Sequence, residues 1–238
     1  MREFALELPK LRRAVTADLR RRGMPRERAL ACAVRLLDLG FFRVGSEVYA
    51  EENESYGLAT VRREHVSIRR DEVVFDFPAK SGQRRIQSIR DAPTRRALEA
   101  MWRRRSGPED LLAYRDGGEW RDVRSEEINE YIHERIGDAF TAKDFRTWHG
   151  TVLAAVELAG AGRPSSAAAA RRSIKLAVDR VSEALGNTPA VCRASYIDPR
   201  VLDRYRDGVT IEPPSTANGR ATAKQRLKIE REVVDLVS

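Results

Sequence analysis

The stretch that decides the fold class covers residues 57–89 and reads GLATVRREHVSIRRDEVVFDFPAKSGQRRIQSI. Apolar and polar residues alternate in three short runs, which are separated by RD at 70–71 and by SGQ at 81–83. Alternation of period two between turn-forming residues is typical of half-buried antiparallel strands. We therefore predict a small three-stranded antiparallel sheet at about 56–90, with Lys80 at or beside the turn between the last two strands.

Outward from this stretch the pattern becomes helical. Residues 25–39, PRERALACAVRLLDL, place Leu30, Val34 and Leu37 on one stripe, and Gly40 follows as a stop signal. Further helices are predicted over 92–105, 124–136, 144–160, 166–186 and 221–237. The predicted fold class is therefore mainly α with a small antiparallel three-stranded sheet, an α+β arrangement.

The helix predicted over 144–160 has two distinct faces. One face is apolar and the other brings Lys143 close to Arg146. This helix is expected both to pack and to present charged groups. The apolar face consists of Phe145, Trp148, Val152, Val156 and Ala159.

The stretches at 160–166 and at 208–219, the second with Pro213-Pro214, are the candidate flexible joints of the chain, and no internal repeat is found. We predict one principal domain over 1–207 and a linker with a C-terminal helix over 208–238.

The charge balance points to a polyanionic partner. Lys and Arg number 44 against 36 Asp and Glu, a formal net charge of +8. A basic surface that is merely solvated, an acidic membrane and an acidic protein remain alternatives on charge alone. The opening MREFALELPKLRRAV lacks the apolar core of a signal peptide, and no apolar run is long enough to span a membrane. We expect a soluble, intracellular protein without membrane association.

The two cysteines, Cys32 and Cys192, are too few for a disulfide framework and lack zinc-finger spacing. They are expected to be free thiols in a reducing compartment. His65, His133 and His149 do not form a metal-binding pattern, and no phosphate-loop, dinucleotide, HExxH or GxSxG motif is present. No metal or cofactor is predicted.

What remains is a dispersed set of an arginine after a helix, a lysine on a hairpin, an arginine on a helix and a tyrosine in a late polar segment. Such a set suits phosphoryl transfer through a tyrosine. Four blocks in order carry a resemblance to the type IB DNA topoisomerases of the poxvirus and bacterial kind. They are FRVGSEVY at 42–49 with EN and GLAT after it, FDFPAK at 75–80, KDFRTW at 143–148 and LGNTPAVCRASY at 185–196.

The resemblance implies a fold like that of tyrosine recombinase and type IB topoisomerase catalytic domains, and it makes 1–207 the catalytic domain. It implies that Tyr196 is the nucleophile, that Arg43 and Arg146 hold the non-bridging phosphate oxygens, and that Lys80 is the general acid. Asn187 would donate a hydrogen bond to the same phosphate. The implied accessory or DNA-binding residues are Lys143, Tyr49 and Gly45.

The implied activity is cleavage of one DNA strand, swivelling that relaxes supercoils of either sign, and resealing without ATP or metal. Double-stranded DNA would be the partner of a monomeric, cytoplasmic or nucleoid-associated enzyme.

Two features depart from the family pattern. Asn187 stands where many members have histidine, so we expect turnover to persist at a lower rate. Arg43 lies close to the start of the chain, so the family's amino-terminal clamp domain is expected to be missing and DNA binding to be more sensitive to salt.

Two other functions fit part of the pattern. A tyrosine recombinase uses a similar residue set, but it usually has histidine where this chain has Lys143. A DNA-binding module without activity is the second alternative, although all the expected positions hold competent residues.

Taken singly, the candidate residues also have purely structural interpretations: Arg43 could pair with Glu47, Lys80 could be a solvated lysine, Tyr196 could be half-buried and His149 could simply pack. Residues 102–105, WRRR, predict either a DNA-facing stripe or a tryptophan that anchors a helix.

Overall fold

The computed structural model describes residues 1–45, 54–214 and 222–238. The chain divides into two compact units, one formed by Leu8–Lys143 and the other by Met1–Glu7 with Asp144–Ser238. In chain order the elements are α1 (Arg2–Asp18), α2 (Arg26–Leu39), β1 (Val66–Ile68), β2 (Val73–Ala79), β3 (Gln83–Ile89), α3 (Ala92–Trp102), β4 (Ala113–Asp116), β5 (Glu119–Asp122), α4 (Ser125–Ile136), α5 (Ala142–Ala161), α6 (Ala167–Leu185), α7 (Pro189–Ser195), α8 (Pro199–Arg206) and α9 (Ala223–Leu236).

The predicted fold class is confirmed, because the chain is mostly helical with a small antiparallel sheet in the order β1-β2-β3. The six predicted helices correspond to α2, α3, α4, α5, α6 and α9, each within a few residues of its expected ends. The sequence reasoning did not assign α1, α7, α8 or the hairpin of β4 and β5.

Within the unit Leu8–Lys143, the sheet buries one face and exposes the other. Alternate residues of β2 are buried, among them Phe75, whose ring lies 5.0 Å from that of Phe42. On the opposite face Asp76 accepts two hydrogen bonds of 2.6 Å from Arg84 of β3. A 3₁₀ turn, Lys80–Gly82, joins β2 to β3, so the predicted position of Lys80 is confirmed.

Helix α2 forms the centre of the same unit. Leu30, Val34 and Leu37, the predicted stripe, are each 1% exposed. Asp38 is buried as well, and it accepts hydrogen bonds of 2.9 and 2.7 Å from the Arg12 guanidinium of α1. This bidentate pair satisfies the charge of the carboxylate inside the core.

In the unit formed by Met1–Glu7 and Asp144–Ser238, α5 and α6 both bury apolar faces. Phe145, Trp148 and Ala159 are buried as predicted, but Val152 and Val156 are only half-buried. The buried stripe passes instead through Thr151, which is 0% exposed, and its hydroxyl is satisfied by donating a 2.8 Å hydrogen bond to the Thr147 carbonyl.

Helix α9 also packs into this unit, since Val233 and Val237 at its end are fully buried. Across the described residues, no helix combines the length and the hydropathy that crossing a membrane requires.

Candidate active site

Tyr196 lies at the C-terminal end of the short helix α7. The helix begins after Thr188, which precedes Pro189, a residue that is well suited to a first helical position. The Tyr196 N–H donates a 2.9 Å hydrogen bond to the Cys192 carbonyl, which completes the last turn. The side chain of Tyr196 is half-buried.

Arg146 of α5 is brought directly to Tyr196. Its side chain is buried, and Nη2 donates a 3.0 Å hydrogen bond to the carbonyl of Leu185, the last residue of α6. A carbonyl at a helix end lacks an intrahelical partner, so the arginine satisfies it. The guanidinium carbon lies 5.1 Å from the centroid of the Tyr196 ring, within the range of a cation–π contact.

The same helix α5 also holds the backbone of the tyrosine segment. A Cβ on Gly150 would stand 2.3 Å from the Tyr196 carbonyl oxygen, so only glycine permits this approach. One residue further on, the Thr151 hydroxyl accepts a 3.0 Å hydrogen bond from the Asp198 N–H. The sequence reasoning missed both positioning contacts; the only signal was a small residue one turn after Arg146.

Asn187 follows the C-terminal end of α6. Gly186 adopts the left-handed conformation there with φ 61°, and the Asn187 N–H donates a 3.1 Å hydrogen bond to the Ser182 carbonyl. The backbone of Asn187 is therefore fixed two residues beyond Leu185, the acceptor of Arg146. Arg146, Asn187 and Tyr196 belong to one unit of the chain.

The other predicted residues lie in the unit Leu8–Lys143. Arg43 is half-buried, and its carbonyl accepts a 2.8 Å hydrogen bond from the Leu58 N–H. Beside it the backbones of Gly45 and Gly57 touch, since a Cβ on Gly57 would stand 2.3 Å from the Gly45 Cα. The first and second parts of the predicted RVG…GLAT block thus run side by side. Tyr49 lies outside the described residues.

Lys80 is exposed at the first position of its turn, and Lys143 is exposed in the first turn of α5. A further cation, Arg85 of β3, is half-buried near Arg43. Burial lowers the pKa of the Arg85 guanidinium, and the positive charge of Arg43 lowers it further. Two neighbouring arginines favour an anion beside them.

Arg85 was also missed by the sequence reasoning, although alternation along β3 could have found it. Because Arg84 pairs with Asp76 on one face of the sheet, its neighbour Arg85 belongs to the other face. Among the described residues, no group of His, Cys, Asp and Glu is arranged to hold a metal ion, and Cys32 and Cys192 are buried thiols.

Comparison with known proteins gives the family. Over residues 1–213 the chain matches the family model described as eukaryotic DNA topoisomerase I, catalytic core. The chain belongs to the type IB DNA topoisomerase family. The resemblance carried by the four blocks is thereby confirmed at the level of the family.

Two viral topoisomerases are among its relatives. The chain is 29% identical over 213 residues to DNA topoisomerase 1B of Acanthamoeba polyphaga mimivirus, covering 86% of this chain and 63% of that protein. It is 22% identical over 179 residues to DNA topoisomerase I of Monkeypox virus, covering 75% of this chain and 54% of that protein. The chain therefore spans less than two thirds of the length of either relative.

Proposed function

We propose that this chain is the catalytic domain of a type IB topoisomerase that cleaves one strand of double-stranded DNA through Tyr196 and then reseals it. The observation that carries the proposal is the buried guanidinium of Arg146, 5.1 Å from the ring of Tyr196, in a chain of this family. A fixed cation beside a tyrosine suits a phosphoryl-transfer nucleophile.

In the cleavage step the phenolic oxygen of Tyr196 attacks the scissile phosphorus. A 3′-phosphotyrosyl bond forms, the bond from phosphorus to the 5′-oxygen breaks, and the phenolic proton passes to solvent. Lys80 donates a proton to the departing 5′-oxygen. Resealing reverses each transfer, with the 5′-hydroxyl as the nucleophile and the tyrosine as the leaving group.

Arg43 and Arg146 would hold the two non-bridging oxygens while charge builds up on them. The planar fork of a guanidinium matches two oxygens at once. Asn187 would donate a third, neutral hydrogen bond, and Lys143, Tyr49 and Gly45 would contact the flanking DNA. These roles follow the family pattern at the matching positions of this chain.

Two consequences follow for the reaction. The phosphotyrosyl bond keeps the energy of the phosphodiester, so resealing requires no ATP. The arginines supply the positive charge that a metal ion supplies in other phosphoryl transfers, so no cofactor is needed.

While the strand is open, swivelling of the cut end would relax supercoils of either sign. One chain carries the full residue set, so a monomer suffices.

The test is relaxation of negatively supercoiled plasmid in EDTA without ATP, over a series of salt concentrations. We expect the parent chain to relax the plasmid and the Tyr196→Phe variant to be inactive. Tyr114→Phe is the matched control, because it removes another tyrosine hydroxyl, one that donates a 3.3 Å hydrogen bond to Glu127.

Covalent capture completes the test. An oligonucleotide that cannot be resealed after cleavage should become attached to the parent and to Tyr114→Phe, and not to Tyr196→Phe. Attachment that persists without the Tyr196 hydroxyl would refute the assignment. Recombinant product from paired sites without any plasmid relaxation would identify a recombinase instead.

A further inference from the structure

A cavity of about 470 Å³ lies within the unit that carries Tyr196 and is separate from the Arg146 contact. It is formed by the first turns of α6 together with one arginine each from α7 and α8. We call it the arginine pocket; its lining residues are Ala167, Ala170, Arg171, Ile174, Arg193 and Arg206.

All the charged residues that line the arginine pocket are positive. Three arginines from three helices line it, and none of its lining residues is acidic. Arg206 also pairs with Asp203, one turn earlier on α8, but that carboxylate is not part of the lining. Three arginines around a cavity whose lining holds no carboxylate create a positive potential that attracts an anion.

The helix start in the wall favours the same kind of ligand. Ser166 caps α6 by accepting a 3.1 Å hydrogen bond from the Ala169 N–H, and Ala167, the first helical residue, lines the cavity. The positive end of a helix dipole therefore adds to the three side chains. The floor formed by Ala170 and Ile174 is apolar and offers no competing carboxylate.

The pocket is linked to the nucleophile by α7. Arg193 lies three residues before Tyr196, about one helical turn away on the same segment. We propose that the arginine pocket binds a phosphate group, and that its source is a backbone phosphate of the DNA strand other than the one attacked by Tyr196. The choice of DNA as the source rests on the proposed function, whereas the phosphate chemistry rests on the pocket alone.

The test measures DNA binding without cleavage. All variants carry Tyr196→Phe, so no covalent product forms, and affinity for a short duplex is followed by fluorescence anisotropy as the salt concentration rises. Arg171→Gln and Arg193→Gln should each reduce the slope of log affinity against log salt by up to about 0.9, the effect of losing the one phosphate contact that the pocket makes. That change corresponds to about a threefold difference in salt response between roughly 50 and 200 mM.

Arg172→Gln is the matched control, since it removes an exposed arginine next to Arg171 that does not line the pocket. If Arg172→Gln lowers the slope as much as Arg171→Gln does, the effect is general surface charge and the proposal fails. Because the readout is binding, a refutation of cleavage by Tyr196 would leave this result unaffected.

A second measurement distinguishes the source of the phosphate. Thermal unfolding of the parent and of Arg171→Gln is followed with inorganic phosphate added. If the DNA slope stays unchanged but phosphate stabilises the parent and not Arg171→Gln, the pocket binds free phosphate. If neither the slope nor the stabilisation depends on Arg171 and Arg193, the arginine pocket is not a phosphate site.

Discussion

Tyr196 and Lys80, the proposed nucleophile and the proposed acid, are supported in opposite ways. The Tyr196 segment is fixed through its backbone. Gly150 packs against the Tyr196 carbonyl, and the Thr151 hydroxyl accepts a hydrogen bond from the N–H of Asp198, two residues after the tyrosine. Lys80 is an exposed side chain on a turn, and the support beneath it comes from the pairing of β2 with β3. A change near Tyr196 should therefore lower the cleavage rate by displacing the nucleophile, whereas a change at Lys80 should lower it by removing the ammonium group.

The largest effect on the cleavage rate is expected at Arg146, because this side chain both contacts Tyr196 and supplies positive charge to the proposed phosphate site. Arg146→Gln removes the charged fork and should lower the cleavage rate at saturating DNA by roughly 10²–10³, the range for one transition-state donor. Single-turnover covalent capture measures this rate. A rate within a few fold of the parent would contradict the assignment, and the melting temperature shows whether the variant is folded.

Lys80→Ala should lower the cleavage rate by about 10², at the lower end of what a general acid supplies, because water can also reach an exposed position. Replacing the leaving 5′-oxygen by sulfur should restore the rate, since a thiolate departs without a proton. The melting temperature should not change. A rate that stays low with the sulfur substrate would mean that Lys80 does not act as an acid.

Gly150→Ala tests positioning without changing any charge. Its new methyl group must displace the Tyr196 carbonyl, so we expect covalent capture to fall by about tenfold to 100-fold, as a shift near 1 Å can produce. Gly160→Ala on the same helix is the control, because a Cβ there meets nothing within 4 Å. Equal activity of the two variants would show that the backbone contact does not position the nucleophile.

The smallest effect is on the stability of the fold at acidic pH, where we compare the contributions of two carboxylates, Asp198 and Asp76. Burial opposes ionisation of Asp198, but hydrogen bonds from Arg200 outweigh it and lower the pKa of Asp198. A hydrogen bond from Arg84 lowers the pKa of the half-buried Asp76. A lowered pKa stabilises the fold above the ordinary pKa of the carboxyl, near 3.9, and this stability is lost as the pH falls through the folded-state value.

Asp198→Asn should therefore reduce the loss of stability between neutral and acidic pH more than Asp76→Asn does, because Asp198 is buried and its pairing is less screened by water. The urea midpoint of unfolding, measured at both pH values, checks this. An equal or larger effect of Asp76→Asn would reverse the contrast between the two regions.

Regular periodicity explains what the sequence could predict. The sheet was predictable from alternation around Phe75, and α2 and α6 from helical spacing, with a glycine directly after the C-terminal end of each helix. The hairpin of β4 and β5 has strands of only four residues each, too short for a clear period. Its turn, Gly117-Gly118 after an aspartate, was the signal that went unused.

Arg104 shows why neighbouring charged residues cannot be interpreted alike. In the WRRR stretch, Trp102 donates a 3.2 Å hydrogen bond to the Arg63 carbonyl and so anchors its helix. Arg104 is buried and donates to carbonyls that include those of Met101 and Leu111, and burial lowers its pKa to about 10. A uniform DNA-facing stripe is therefore wrong for these residues, because the fold uses Arg104 to satisfy backbone oxygens.

The candidate site was predictable as a set of residues and not as a set of contacts. The motifs named Arg146 and Tyr196, but the hydrogen bond from Arg146 to Leu185 and the approach of Gly150 to Tyr196 join residues that are distant in sequence. Such contacts depend on how α5 packs against the ends of α6 and α7, which no local pattern encodes.

The contact between Gly45 and Gly57 limits how this protein can vary. Both positions are restricted to glycine by steric exclusion, because each backbone fills the space that a side chain on the other residue would need. A compensating exchange is therefore impossible, since both positions already carry the smallest residue. Among functional sequences derived from this one, the two sites should vary neither singly nor together, and they would leave no covariation signal although they touch beside Arg43.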